Sequence, residues 1–296
     1  MNSPRSVGFV GLGNMGMPMA RRLAEAGNTV VGYDVSEAVR QKAVEAGVGA
    51  ASDTAQVARG ASILILMLPD SNVVEQVLND HALLEGLSPG TLVVDMSSSE
   101  PLRTRELASH LEKRDLRMID APVSGGVSGA ENGKLTIMVG GDAADLEDAR
   151  STLEAFGRVV FAGPIGSGHA VKALNNLLSA THLWITSEAM LAGEQFGIEP
   201  DVMLSIFNTS SGRSGSTENK WPNFILPGTF NSGFGLRLML KDMKIAVQLA
   251  EQAGMPSALG AAAVELWGQA AQDLPPTADH TEVARWLHDR TAPRGQ

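Results

Sequence analysis

Val7-Gly8-Phe9-Val10-Gly11-Leu12-Gly13-Asn14-Met15-Gly16 is the stretch on which the fold turns. The apolar run Val7 to Val10 reads as a strand, it runs straight into Gly11, and a helical pattern from Met15 to Ala26 follows at once. A lone GxGxxG is a weak signal, because 32 glycines make chance matches easy. Between a strand and a helix it acquires a mechanism. The first glycine allows a tight turn, the second lets backbone amides approach a pyrophosphate, and the third packs helix on strand. The helix N-terminus adds partial positive charge. The next strand, Thr29 to Tyr33, delivers Asp34 eighteen residues after Gly16, the spacing at which a carboxylate accepts hydrogen bonds from an adenosine ribose. Val35 and Ser36 follow instead of an arginine, so NAD is favoured over NADP; Arg40 downstream leaves NADP as the alternative.

Strand-like runs recur at Ser62 to Leu68, Thr91 to Met96, Arg117 to Ile119, Leu135 to Val139 and Val159 to Phe161. Helical patterns such as Glu37 to Ala46 and Pro101 to Lys113 lie between the earlier ones. This alternation implies an α/β domain over residues 1–165, with a doubly wound, mainly parallel sheet covered by helices on both faces. After Gly168 the texture changes. A helical pattern runs from Ala170 to about Gln195 with no proline, and no glycine before Gly193. About 26 residues at 1.5 Å each span ~39 Å, so we read a linking helix over about 169–196. Further helical patterns at Asp201 to Phe207, Leu236 to Ala253, Ala258 to Gln272 and Thr281 to Asp289 make residues 166–296 an all-α domain. The polar, Gly/Ser-rich stretch Asn208 to Ser216 fits either a linker or a ligand-facing loop.

Composition narrows the chemistry. The chain has 296 residues, 23 Lys and Arg against 33 Asp and Glu, and a net charge of −10, which makes a nucleic-acid partner a poor expectation. Cysteine is absent, so disulfides, thiolate metal centres and cysteine nucleophiles are excluded. The six histidines include no pair at metal-ligand spacing, and no metal is expected. No run of about 18 uncharged apolar residues occurs, and Met1 to Arg5 does not lead into a long apolar segment; no membrane is expected and the cytoplasm is the expected compartment.

Ligands of open parallel sheets lie outside the carboxyl ends of strands, which draws attention to Leu68-Pro69-Asp70 and to Asp95-Met96-Ser97-Ser98-Ser99. Ser98 or Ser99 could equally cap the helix that starts near Pro101. Asp120-Ala121-Pro122-Val123-Ser124-Gly125-Gly126 sets a hydroxyl beside two glycines after a strand, an arrangement that exposes backbone amides to an anion such as a carboxylate; an ordinary glycine turn is the bland reading. Gly166 to Asn176 opens the long helix, and Lys172 and Asn176 share a face with Asn175 at its edge. A lysine on a helix is usually solvated. Here Val171, Leu174, Leu177 and Leu178 flank it, so the helix reads as wrapped in protein and the lysine and amides need polar company, which a substrate pocket between the domains would supply.

Taken together, Gly11 to Gly16, Asp120 to Gly126, Gly166 to Asn176 and Leu240-Lys241-Asp242 make nearly the whole chain similar to the β-hydroxyacid dehydrogenase family, whose best-known member is 3-hydroxyisobutyrate dehydrogenase. The resemblance implies an N-terminal Rossmann domain, a C-terminal helical domain and a cleft for substrate. It places the catalytic lysine on Lys172 and its supporting asparagine on Asn176. It puts substrate contacts on Ser124, Gly125 and Gly126, with Phe234 and Asp242 near the substrate and nicotinamide. Cofactor contacts fall on Gly11, Leu12, Gly13, Asn14, Met15, Gly16, Asp34, Leu68, Pro69, Ser98 and Lys241. The implied reaction is hydride transfer between NAD and a short β-hydroxy acid or its semialdehyde, with lysine as the acid/base, on a homodimer or homotetramer.

Departures bear on the substrate. Met96-Ser97-Ser98 stands where relatives often read Ser-Ser-Thr, and the segment Asn208 to Lys220 matches no known substrate. Relatives that decarboxylate 6-phosphogluconate usually carry a histidine where Asn175 stands and are longer. The alternatives are a reductase of tartronate, glyoxylate or succinic semialdehyde, an imine reductase, and a non-catalytic dinucleotide-binding scaffold; retention of Lys172 argues against the last two.

Overall fold

A computed structural model describes residues 4–291. The chain divides into two units, one up to Lys172 and one from Ala173 onward. The first holds a nine-stranded sheet in the order β3-β2-β1-β4-β5-β6-β8-β7, with β9 on β8. Its parallel part comprises β1 (Ser6–Val10), β2 (Thr29–Tyr33), β3 (Gly49–Ala50), β4 (Ile63–Leu66), β5 (Leu92–Asp95) and β6 (Arg117–Asp120). This is the doubly wound order, whose direction reverses between β1 and β4, where ligands of such sheets bind. Beyond β6 the sheet is mixed: β8 (Leu135–Gly140) runs antiparallel to β6 and to β7 (Val123–Ser124), and β9 (Gly157–Gly163) runs parallel to β8.

Strand alternation builds two cores. Phe9, Ile63, Ile65, Leu92 and Val94 face one layer of helices, while Val10, Leu64, Leu66 and Val93 face the other, as side chains two residues apart must on a pleated strand. The helices that cover the sheet are α1 (Gly16–Glu25), α2 (Glu37–Glu45), α3 (Thr54–Ala58), α4 (Ser71–Leu78), α5 (His81–Gly86), α6 (Pro101–Glu112), α7 (Gly126–Asn132) and α8 (Ala143–Glu154). Asp70 accepts from the amides of Asn72 and Val73 and so starts α4. Ser98 and Ser99 do not cap α6: its cap position is Glu100, without a side-chain hydrogen bond, and the Ser99 hydroxyl instead donates to Asp95 at 2.8 Å.

α9 extends from Ser167 to Phe196, 30 residues, starting earlier than its apolar pattern because polar groups hold its first turn. The second unit continues with α10 (Pro200–Asn208), a π-helix at Ser216–Ile225, α11 (Leu236–Gln252), α12 (Ala258–Asp273) and α13 (Glu282–Thr291). Its core gathers Trp184, Trp267 and Trp286, with ring centroids 6.2 and 5.9 Å apart about Trp184. The stretch after α10 is tied down: Asn208 donates to the Thr217 carbonyl, and the Ser214 amide to the Thr217 hydroxyl. The π-helix that follows has no period in the sequence to announce it, and Pro222 lies inside it.

The reading of α9 as a helix wrapped in protein needs correction. Val171, Leu174 and Leu178 are exposed on the single chain, and so are Ile185 and Phe196 further along. Lys172, between them in sequence, is nevertheless buried.

Candidate active site

β1 ends at Val10 and α1 begins at Gly16, with the glycine loop between them. Gly11 adopts φ +95°, a region that glycine enters at no steric cost, and its amide donates to the Tyr33 carbonyl at 2.9 Å. A Cβ at Gly16 would overlap the Gly11 carbonyl oxygen, whereas a Cβ at Gly13 would meet nothing within 4 Å. Gly16 is therefore required by packing, and Gly13 leaves open space beside the loop. The cap position of α1, Met15, supplies no side-chain acceptor, so the first turn presents backbone donors as a dinucleotide phosphate requires. These residues fit the pyrophosphate of NAD.

The Asp34 carboxylate accepts from the Leu12 amide at 2.9 Å through one oxygen and from the Ser36 amide at 2.9 Å through the other. It thus ties the end of β2 to the glycine loop. Arg40, on α2, donates to the Asp34 carbonyl at 2.7 Å and lies 5.6 Å from the Tyr33 ring centroid. Across the reversal point, the Leu68 amide donates to the Ser97 hydroxyl at 3.0 Å, which joins the loop after β4 to the loop after β5. Pro69 and Ser98 lie in these same two loops.

Ser124 ends β7, opposite Thr136 of β8. Gly125 at φ +133° and Gly126 at φ +64° then turn the chain into α7. The open space at Gly126 leaves its backbone approachable, as an anion-binding turn demands.

Lys172 and Asn176 stand one turn apart on α9, and both are buried. In the second unit, the Asn176 side-chain amide donates to Asp242 at 2.7 Å, and the Lys241 ammonium lies 3.3 Å from the other Asp242 oxygen. Asp242 is 2% exposed, so it needs both partners. The structure thus brings Asn176 to the adjacent pair Lys241 and Asp242, 65 and 66 residues later: Asn176 is oriented by Asp242, beside which Lys241 places its charge. Asn175 is exposed and donates to Asn176 only at 3.4 Å.

Phe234 precedes α11 and meets His280 edge-on, with centroids 5.9 Å apart. Its amide donates to Asp279 at 3.2 Å, and its carbonyl accepts from the His280 amide at 2.9 Å. Burial, assisted by the nearby Lys220 charge, holds the His280 imidazole down at about 4 from its usual 6.5, so it is neutral at physiological pH. Burial also lowers Lys220. Among the described residues, no cluster of three His, Asp or Glu could hold a metal ion, and no helix is long and apolar enough to cross a membrane.

Sequence reasoning missed the polar cluster under the start of α9. Asp95, Asp120 and His169, all at most 1% exposed, lie among Ser97, Ser99 and Thr104, and four of their side-chain hydrogen bonds reach partners at least 46 residues away, against two to near neighbours. Their one signal in sequence is an acid at the end of each of two adjacent strands.

Comparison with known proteins bears on the chain from end to end. Residues 6–166 match the model of the NAD binding domain of 6-phosphogluconate dehydrogenase. Residues 166–287 match that of the NAD-binding domain of NADP-dependent 3-hydroxyisobutyrate dehydrogenase. An NAD-dependent L-serine dehydrogenase of Pseudomonas aeruginosa is 40% identical over 271 residues, covering 89% of this chain and 91% of that protein. The mitochondrial 3-hydroxyisobutyrate dehydrogenase of Mus musculus is 38% identical over 297 residues, covering 98% and 89%. A solved 3-hydroxyisobutyrate dehydrogenase of Mycobacterium tuberculosis with L-serine superposes with a TM-score of 0.91 at 30% identity, covering 96% of this chain and 99% of that one.

Proposed function

The chain belongs to the β-hydroxyacid dehydrogenase family and is an NAD-dependent hydroxyacid oxidoreductase, and on that premise we propose that its substrate is a 3-hydroxypropanoate substituted at C2, an acid with a primary 3-hydroxyl, converted reversibly to the semialdehyde. 3-Hydroxyisobutyrate and L-serine both have this form, differing in a methyl or an ammonium at C2, and they are the substrates named for two of its relatives. The observation that carries the reading is Lys172: a buried lysine one helical turn from an asparagine that a buried aspartate holds in place.

In this reading residues 1–165 bind NAD and residues 166–296 serve substrate and assembly. Bound NAD supplies the acceptor for the hydride that leaves the carbinol carbon. Neutral Lys172 accepts the hydroxyl proton at Nζ, and in reduction its ammonium returns it to the carbonyl oxygen. Asn176 keeps the amine and the substrate oxygen in register. Ser124 and the amides of Gly125 and Gly126 receive the substrate carboxylate, whose charge needs donors more than it needs a countercharge. Phe234 and Asp242 border the substrate. Gly11 to Gly16, Asp34, Leu68, Pro69, Ser98 and Lys241 are assigned to the cofactor.

Lys172→Ala tests the assignment, with turnover and NADH affinity measured separately. Turnover should fall at least a thousandfold while NADH binds within threefold. Survival of turnover within about tenfold, ~1.4 kcal/mol of barrier, refutes the role of the lysine. A panel of 3-hydroxyisobutyrate, L-serine, glycerate and succinic semialdehyde, followed by NADH absorbance, decides the substrate.

We also propose a homodimer or homotetramer. The exposed apolar stripe Val171, Leu174, Leu178, Ile185 and Phe196 along α9 supports it, since contiguous apolar surface of this kind marks association; light scattering tests it. The cytoplasmic location is part of the same proposal, although the mouse relative is mitochondrial by name. Cell fractionation decides.

A further inference from the structure

Lys172 lies six residues beyond Gly166, and what fixes the start of α9 therefore fixes the lysine. Asp120, the last residue of β6, is fully buried. One of its oxygens accepts from the Gly166 amide at 2.6 Å, the other from the His169 amide at 2.7 Å. Those lengths are at or below the usual range for charge-assisted bonds, and a carboxylate at a helix start also gains from the helix dipole. The approach is close enough to require glycine. A Cβ at Gly168 would come within 2.8 Å of the Asp120 carboxylate, and one at Gly140 within 2.8 Å of the Ser167 amide.

A carboxylate on the backbone alone would set the position of the helix and leave its roll free. The roll is set by His169. Its Nε2 lies 3.1 Å from the Ser97 carbonyl, to which it must donate because a carbonyl only accepts, and its Nδ1 lies 2.9 Å from the Thr104 hydroxyl on α6. Ser97 is itself held, with its amide donating to Asp95 at 3.0 Å and its hydroxyl accepting from Leu68. Asp120 is also the root of the segment that reaches Ser124 and Gly125 four and five residues later, and this segment is pinned by the Met138 amide donating to the Pro122 carbonyl at 3.0 Å.

We propose that Asp120 and His169 are positioning residues for the reaction: they lock the first turn of α9 in translation and roll, and so fix Lys172 relative to the Ser124–Gly126 turn. This rests on the assignment of Lys172 as the acid/base. All these residues belong to the first unit. Side-chain atoms on a helix lie ~5–6 Å from its axis, so a roll of about 10° moves the amine by about 1 Å. A displacement of that size costs on the order of a hundredfold in rate.

Asp120→Asn is the sharpest probe. An amide offers one acceptor where two backbone N–H groups need one each, and it turns its own N–H groups toward the second donor. With 3-hydroxyisobutyrate or L-serine, whichever the unaltered chain turns over faster, Asp120→Asn should lower kcat about a hundredfold and leave the NAD dissociation constant within threefold. Thr104→Val, which keeps shape and removes the hydroxyl that meets both His169 and the Glu100 carbonyl at the start of α6, should lower kcat about fivefold, and Thr104→Ser should restore it. Loss of NAD binding in step with kcat would mark a merely structural role and overturn the inference. So would a change in kcat below twofold in both Asp120→Asn and Thr104→Val. If Asp120→Asn does not fold, the Thr104 pair decides alone. Lys172→Ala in the same assay separates the two readings: if it keeps turnover within tenfold, the acid/base assignment fails whatever the Asp120 variant does.

Discussion

Replacing His280 with asparagine should remove a specific part of the pH dependence of stability. The folded chain holds the imidazole at about 4 against 6.5 in its ordinary state, chiefly because it is buried and next because Lys220 is near. A depressed histidine binds fewer protons folded than unfolded, so its contribution favours folding above pH 6.5 and is lost as pH falls toward 4. At pH 5 the unfolded histidine is almost fully protonated and the folded one about a tenth so. Relative to pH 7.5, the loss is about 2 kcal/mol at 1.36 kcal/mol per pH unit. Asparagine keeps a donor where Nδ1 meets the Phe234 carbonyl at 3.0 Å and cannot titrate. Its smaller volume costs about 1 kcal/mol at every pH and cancels from the comparison. Asp279 is held below 3.8 by its bonds to Thr281 and Ser232, which outweigh its burial, so it titrates below the chosen window. The assay is favoured by composition. All four tryptophans, Trp184, Trp221, Trp267 and Trp286, belong to the second unit, so their fluorescence during urea unfolding reports that unit alone. The original chain should lose about 2 kcal/mol more than His280→Asn between pH 7.5 and 5. A difference under about 0.5 kcal/mol would refute the claim that this imidazole is kept neutral by burial.

Gly13→Ala should unfold in urea within about 0.5 kcal/mol of the original chain yet bind NAD at least tenfold more weakly by calorimetry, because its Cβ enters space that only a ligand would fill. Gly16→Ala, whose Cβ overlaps the Gly11 carbonyl, should destabilise the first unit by about 3 kcal/mol or more, read by circular dichroism; equal behaviour of the two variants would contradict the assignment. Asp34→Ser should raise the ratio of kcat/KM for NADP over NAD at least tenfold, since the carboxylate that repels a 2′-phosphate is gone while Arg40 stays at the end of β2. An unchanged ratio would remove Arg40 from consideration.

The elements legible in the sequence are those whose signal is local. Val7 to Gly16 carries strand, turn and helix in ten residues, and Asp34 follows at a spacing fixed by one βαβ unit. The α9 pattern was readable over most of its length because seven turns repeat it. Its first three residues were not, since they are helical on account of Asp120, 46 to 49 residues earlier. Asn176 is likewise oriented by Asp242, 66 residues away, and no periodicity encodes such a pairing. Short helices such as α4 and α7 give too few turns for a period to show. The apolar residues beside Lys172 have another explanation: a hydrophobic stripe tells that a face wants cover, and Val171, Leu174 and Leu178 stay 41–60% exposed among the described residues.

One carboxylate in the cofactor loop serves two purposes that an engineer would prefer to alter separately. Asp34 meets the ribose in the reading above, and it also accepts the Leu12 amide, so it latches the glycine turn. In that reading, any exchange at this position meant to redirect the coenzyme also removes the acceptor that holds the glycine turn. A switch to the phosphorylated coenzyme calls for paired changes: one at residue 34 to admit the extra anion, and a second that gives the Leu12 N–H a new acceptor. Selectivity and grip at this loop are a single trait, and a library that varies residue 34 alone will find mainly weaker binders.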